Sequence, residues 1–178
     1  MTGRRVEVAH TGVLAPAVLE RARTLLDVVF AGELTADDWE HCLGGLHALA
    51  WQDGELVGHA ALVQRRLLHA GRVLRAGYVE GVAVRADVRR TGVGGALLEP
   101  LEQVARRAYD VVALATTDDG AAFYAARGWL PWQGPTSVLT PDGVVPTPDE
   151  DDGVLVLPAP GLDRTAPLTC DWREGDPW

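Results

Sequence analysis

The segment Arg89-Arg90-Thr91-Gly92-Val93-Gly94 carries the clearest chemical signal in this chain. It stands between a strand-like run, residues 78–84, and a stretch with helical apolar spacing. That order sets the free N–H groups of a helix start behind a loop with little side-chain bulk. Such a loop suits a pyrophosphate, and the helix dipole adds attraction. The spacing is neither the dinucleotide-fold nor the P-loop fingerprint: Gly-Lys-Ser/Thr is missing, as is a third glycine at the dinucleotide position. Just upstream, Glu80 interrupts the apolar run Tyr78-Val79-Glu80-Gly81-Val82. A carboxylate there is costly unless paired, which marks Glu80 for a role beyond that of a solvated strand acid.

The rest of the composition narrows the chemistry. The 178 residues carry 16 positive and 25 negative charges, a net of −9. Phosphate contacts need a basic face, so nucleic acid is not the expected partner, and cationic partners are. Histidines 10, 41, 47, 59 and 69 show no metal-ligand spacing, so no metal is expected and structural roles are assigned to them. Cys42 and Cys170 are too few for a disulfide scaffold and read as reduced packing residues. The start, Met1 to Val6, lacks the apolar run of a signal peptide, and no later stretch reaches membrane-spanning length. A cytoplasmic protein with no membrane partner is the expectation. At 47% hydrophobic and 23% charged residues, the length suits one domain spanning 1–178.

The elements that must position these residues follow from periodicity. Residues 4–10 alternate as a first strand. Pro16 opens a helix with Val18, Leu25, Leu26, Val29 and Phe30 at three- and four-residue spacing. Thr35-Ala36-Asp37-Asp38 is a capping-box pattern that starts a second short helix. Strands over 46–52, 56–68 and 73–84 are joined at Asp53-Gly54 and Ala70-Gly71, which predicts an antiparallel meander. A helix over 92–107 leads to a short apolar strand, 111–115, and a helix over 119–127. Beyond Trp129 the texture turns Pro- and Gly-rich, with brief strands at 137–140 and 154–158. Residues 139–178 hold nine acids and two arginines, a net of −7. Acidic tails are usually solvated. Leu157, Trp172 and Trp178 argue instead for an ordered wall of a site.

Two motifs in this order, Arg89-x-x-Gly92-x-Gly94 and Phe123-Tyr124-Ala-Ala-Arg-Gly128-Trp129, resemble the GNAT acetyltransferase superfamily. Longer strings resemble one branch of it, the aminoglycoside 2′-N-acetyltransferases: Asp38-Trp-Glu-His41, Val79 to Asp87, Arg127 to Trp132, Gly134 to Val138, and Cys170 to Arg173 with Trp178. The resemblance implies acetyl-CoA as co-substrate. It implies that Val82, Ala83 and Val84 pair with the pantetheine arm and that Arg89, Arg90, Thr91, Gly92, Val93 and Gly94 wrap the pyrophosphate. It makes Glu80 the group that activates the amine, which must lose a proton before it attacks a thioester. Tyr124 becomes the general acid for the thiolate, and Trp178 closes the acceptor pocket with a catalytic carboxylate. For a polycationic acceptor it implies contacts from Glu33, Asp38, Glu80, Gly81, Ala115, Thr116, Glu150, Asp151, Asp176 and Trp178.

The expected fold is an α/β (α+β) GNAT fold. Its sheet is mixed and mostly antiparallel, splayed between strands four and five, with helices on both faces. The acidic segment 139–178 supplies part of the acceptor site, and a homodimer is expected. The expected activity is acetylation of the 2′-amine of aminoglycosides by direct attack in a ternary complex, a resistance function. Two rivals remain open: a GNAT enzyme acting on a polyamine, another small amine or a protein N-terminus, and a non-catalytic module that binds acyl-CoA or drug.

Overall fold

The computed structural model describes residues 3–178, with the backbone alone of Asp118 and Asp119. Met1 and Thr2, the start of the segment read as lacking a leader, lie outside the described residues. The chain divides into two units: one holds the residues up to Val63 together with Val79–Ala105, the other Gln64–Tyr78 and Arg106–Trp178.

The first unit contains β1 (Arg4–His10), α1 (Pro16–Val29), α2 (Ala36–His41) and β2 (Leu46–Gln52). It also takes the opening half of β3 (Glu55–His69), the closing half of β4 (Arg72–Val84), and most of α3 (Val93–Ala108). β1 pairs antiparallel with β2, and β2 with β3, with a register shift between Ala50 and Trp51. α3 lies on the Gly58 face of β3. A Cβ on Gly58 would stand 2.9 Å from both Leu97 and Val93, so the missing side chain is what lets helix and strand close. The other face, with Leu49, Trp51 and Ala61, buries Ala22, Leu25 and Leu26 of α1 and Trp39 of α2. Helices thus cover both faces, and each fully buried leucine contributes roughly 1.5–3 kcal/mol.

Local signals explain these helices. Pro16 occupies the first turn of α1, where its missing N–H costs nothing. The expected capping box is present: Thr35 Oγ1 accepts from the Asp38 N–H, and the Asp38 carboxylate accepts from the Thr35 N–H. Phe30, expected on the apolar stripe of α1, caps it instead and is 41% exposed.

The second unit adds β5 (Val111–Ala115), α4 (Asp118–Ala125), β6 (Leu130–Pro131), β7 (Thr136–Thr140), β8 (Gly143–Pro146), β9 (Val154–Val156) and β10 (Leu168–Cys170). Its strand order is β6-β9-β5-β4-β3-β10-β7-β8. β4 and β5 pair in parallel over Ala76–Tyr78 against Val111–Ala113, and β10 and β7 are also parallel. β10 pairs antiparallel with β3, β9 with both β5 and β6, and β7 with β8, so the sheet is mixed and mostly antiparallel. The acidic tail is no loose appendage. Its β10 enters the sheet between β3 and β7, a placement that three residues could not announce by periodicity.

Candidate functional site

Glu80 is half-buried on β4, directly after the buried Val79. The next residue departs from regular strand conformation. Gly81 has φ +54°, and a Cβ on it would come within 2.6 Å of the Cys42 sulfur. Both the backbone conformation and the space require glycine. The Gly81 carbonyl accepts a 2.7 Å hydrogen bond from His59 Nδ1, and His59 Nε2 lies 2.9 Å from His47 Nδ1. Beyond Gly81, Ala83 is buried in the core, while Val82 and Val84 are half-buried.

The loop that follows takes a left-handed conformation at two positions. Arg90 and Gly92 both have positive φ, +59° and +88°, on either side of Thr91. Arg89 Nε donates to the Val84 carbonyl, and the Thr91 hydroxyl donates to that of Val88. Arg4 ties the loop down from β1 through the Thr91 carbonyl and hydroxyl, each at 3.0 Å. A Cβ at Gly92 would meet no protein atom within 4 Å, so the space ahead of α3 is open to a ligand. The first N–H groups of α3 have no intrahelical acceptor. Left-handed turns, open space and free donors fit a diphosphate. The Val93 side chain is 1% exposed against Gly58, so its backbone is what it can offer a ligand. Gly94 is half-buried in the first turn. Of the first unit's acids, Glu33 is exposed, and Asp38 already serves its helix cap.

The second unit holds the remaining candidates. Tyr124 is 7% exposed and packs edge-on against Trp129, with ring centroids 5.9 Å apart. Thr116 lies close to it: the Cβ position of Gly120 is 2.3 Å from the Thr116 hydroxyl and 3.3 Å from the Tyr124 ring. The Thr116 N–H donates to the Gly153 carbonyl, and Ala115 pairs with Val154. Glu150 holds its proton more tightly than an ordinary glutamate, first because it is partly buried and then because Asp176 and Asp149 repel its charge. Asp151 differs. Its Oδ1 accepts from the Thr136 N–H at 2.7 Å and the Thr136 hydroxyl at 2.9 Å, so it anchors β7.

Trp178 is 4% exposed. Its indole N–H donates to Thr147, whose hydroxyl lies 2.7 Å from that of Thr136. Its N–H donates to Asp176, and Arg173 donates to its main-chain oxygen. Arg173 and Arg65 both lie over the Tyr78 ring, and Arg65 is paired with Asp171. The long links among these, which join positions up to 106 residues apart, were not visible in the sequence.

The thiols of Cys42 and Cys170 are both buried. Burial pushes the Cys170 thiol up to about 11, and protonated thiols are poor nucleophiles. Among the described residues, no group of three or more His, Cys, Asp and Glu could hold a metal ion. None of their helices is long and apolar enough to cross a membrane.

His47 and His59 are each lowered to about 4, chiefly by burial. The unfolded chain, with histidines near 6.5, therefore binds protons that the folded one refuses. Stability should be complete above about pH 6.5, fall as pH drops, and level off below about pH 4. Melting temperatures across that window check this, with the double variant His47→Gln/His59→Gln expected to flatten the slope.

The sequence pattern of the family described as Acetyltransferase (GNAT) family matches residues 19–129. An "Aminoglycoside 2′-N-acetyltransferase" of Mycolicibacterium fortuitum is 50% identical, over 96% of this chain and 90% of that protein. Among solved structures, Escherichia coli ElaA superposes with a TM-score of 0.62 at 20% identity, covering 88% of this chain and all of that one. An acyl-CoA N-acyltransferase from Pseudomonas aeruginosa superposes equally well, at 18% identity with the same coverage. These two likenesses show the fold. The family pattern over residues 19–129 and the relative 50% identical over nearly the whole chain leave one family: this chain belongs to the GNAT acetyltransferases.

Proposed function

We propose that this protein transfers the acetyl group of acetyl-CoA to the 2′-amine of aminoglycosides by direct attack in a ternary complex. The observation that carries the reading is the 50% identity, over nearly the whole chain, to an aminoglycoside 2′-N-acetyltransferase. Acetyl-CoA supplies the activated acetyl thioester. The backbone of Val82, Ala83 and Val84 pairs with the pantetheine amides, and residues 89–94 hold the diphosphate. Glu80, directly or through water, takes a proton from the acceptor ammonium, which frees the nitrogen lone pair for attack on the thioester carbon. Tyr124 returns a proton to the departing sulfur. The burial of both thiols, with that of Cys170 pushed up to about 11, favours this direct route over an acyl-cysteine.

Glu33, Asp38, Gly81, Ala115, Thr116, Glu150, Asp176 and Trp178 are assigned to the acceptor. The repulsion among Glu150, Asp176 and Asp149 is what a polycation relieves. Asp151, committed to Thr136, supports this assignment from within its own unit. The same reading takes residues 1–178 as one acetyltransferase domain, with 139–178 completing the acceptor site, working in the cytoplasm as a homodimer.

A thiol-release assay with acetyl-CoA and paired 2′-amino and 2′-hydroxy aminoglycosides tests it. Thiol release is expected with the 2′-amino members alone. Equal rates with both would move acetylation to another amine. Turnover confined to spermidine or to a peptide N-terminus would replace the acceptor.

A further inference from the structure

Two buried histidines, 12 residues apart in sequence, meet side by side in the first unit and end on the backbone of Gly81. Proton bookkeeping orders every bond between them. The Gly81 carbonyl can only accept, so His59 Nδ1 carries a proton and donates to it at 2.7 Å. Burial keeps the ring neutral, so His59 Nε2 is a bare acceptor, and His47 Nδ1 donates to it at 2.9 Å. That leaves His47 Nε2 bare, 2.7 Å from the Thr11 hydroxyl. Thr11 accepts from the Gly44 N–H and has one proton to give, which goes to His47 rather than to the Gly45 carbonyl at 3.2 Å. Both rings are neutral in this arrangement. Their burial beside Trp39, whose ring centroid lies 6.3 Å from His59 and 6.4 Å from His47, keeps them so.

The chain of donors therefore runs one way, from Gly44 through Thr11, His47 and His59 to Gly81. It ends on a carbonyl, which cannot pass a proton on, so it is not a proton relay. What it can do is hold. Gly81 carries the left-handed turn of β4 and is backed by the Cys42 sulfur, with Glu80 before it and Val82–84 after it.

We propose that His59, backed by His47 and Thr11, is a positioning residue for acetyl transfer, fixing the Gly81 carbonyl and with it the direction of Glu80. The inference rests on the proposed role of Glu80. A misdirected base loses rate without losing fold, since displacement of about 1 Å can cost ~10²-fold.

The first test is the imidazole ¹⁵N spectrum of the whole protein at pH 7. Both His47 and His59 are expected as neutral Nδ1–H tautomers, although free histidine in water favours the Nε2–H form. An Nε2–H tautomer or an imidazolium at either position would overturn the proposal.

The second test uses two variants whose orders cross. His59→Leu fills the buried space but offers Gly81 no donor. His59→Asn leaves a gap, yet its side-chain N–H2 stands where Nδ1–H was. If His59 only packs, both melting temperature and kcat favour leucine. If it positions, melting temperature favours leucine while kcat favours asparagine, by about tenfold or more on the misplacement scale above. Should kcat follow melting temperature, the positioning role is wrong. Wild-type protein that releases no thiol with any 2′-amino aminoglycoside would defeat the acceptor reading alone. The same crossing of orders is then read in acetyl-CoA affinity by calorimetry, because Gly81 also sets the direction of Val82–84.

Discussion

Replacing Glu80 with glutamine is expected to slow acetyl transfer by ~10²–10⁴-fold at neutral pH, the range typical of losing a general base. Glutamine keeps the volume of the side chain and most of its hydrogen-bonding reach, but it cannot take the proton of an ammonium. Because Glu80 is half-buried beside the Gly81 turn, the isosteric change leaves the strand intact. Acetyl-CoA affinity should therefore stay within about twofold by calorimetry, since the residues assigned to it lie further along the chain. The pH profile carries the mechanism. Raising the pH makes more of the acceptor amine neutral, so the variant should recover part of its rate while the wild type gains less. Wild-type turnover in the variant across neutral pH would reject Glu80 as the base.

Deleting residues 175–178 is expected to do two things at once. It removes Asp176, one of the acids that act on Glu150, and the Trp178 ring. Losing one charge-assisted contact of ~1.5–3 kcal/mol raises the aminoglycoside KM by roughly 10–100-fold. Added salt should weaken wild-type binding too, because exposed charges are screened over ~8–10 Å. The deletion also costs stability. A flexible segment would tolerate truncation, but Trp178 is 4% exposed and its indole N–H reaches Thr147. Removing a buried tryptophan costs ~3–5 kcal/mol. At ~2–4 °C per kcal/mol for a chain of this length, the melting temperature falls by roughly 6–20 °C. Kinetics are best measured well below the new transition, and Trp178→Phe, which keeps a ring but not the N–H, separates packing from the Thr147 bond. A truncated protein with unchanged KM for several aminoglycosides would sink the acceptor assignment and bring the polyamine or peptide acceptor forward.

What the sequence by itself determined is local. The capping box at Thr35–Asp38, the turns at Asp53-Gly54 and Ala70-Gly71, and the Arg89–Gly94 loop before α3 each depend on residues within a few positions of one another. Their side chains choose backbone conformations directly, so periodicity and turn chemistry name them. The same holds for Glu80, whose misfit in an apolar run is itself a local fact. Only the tertiary structure decided the rest. The ring of His59 finds His47 because β2 and β3 pair, and it finds Gly81 because β4 follows β3 back; no spacing encodes that meeting. Asp151 is drawn to Thr136, and Trp178 to Thr147, across 15 and 31 residues, which turns one of four neighbouring acids into an anchor and a final indole into core. Three-residue strands such as β10 have no period to read, and their place is settled by which sheet edge their backbone hydrogen bonds can satisfy. Chemistry-bearing types are written along the chain, but their hydrogen-bond partners are chosen by register and burial, which only the folded chain supplies.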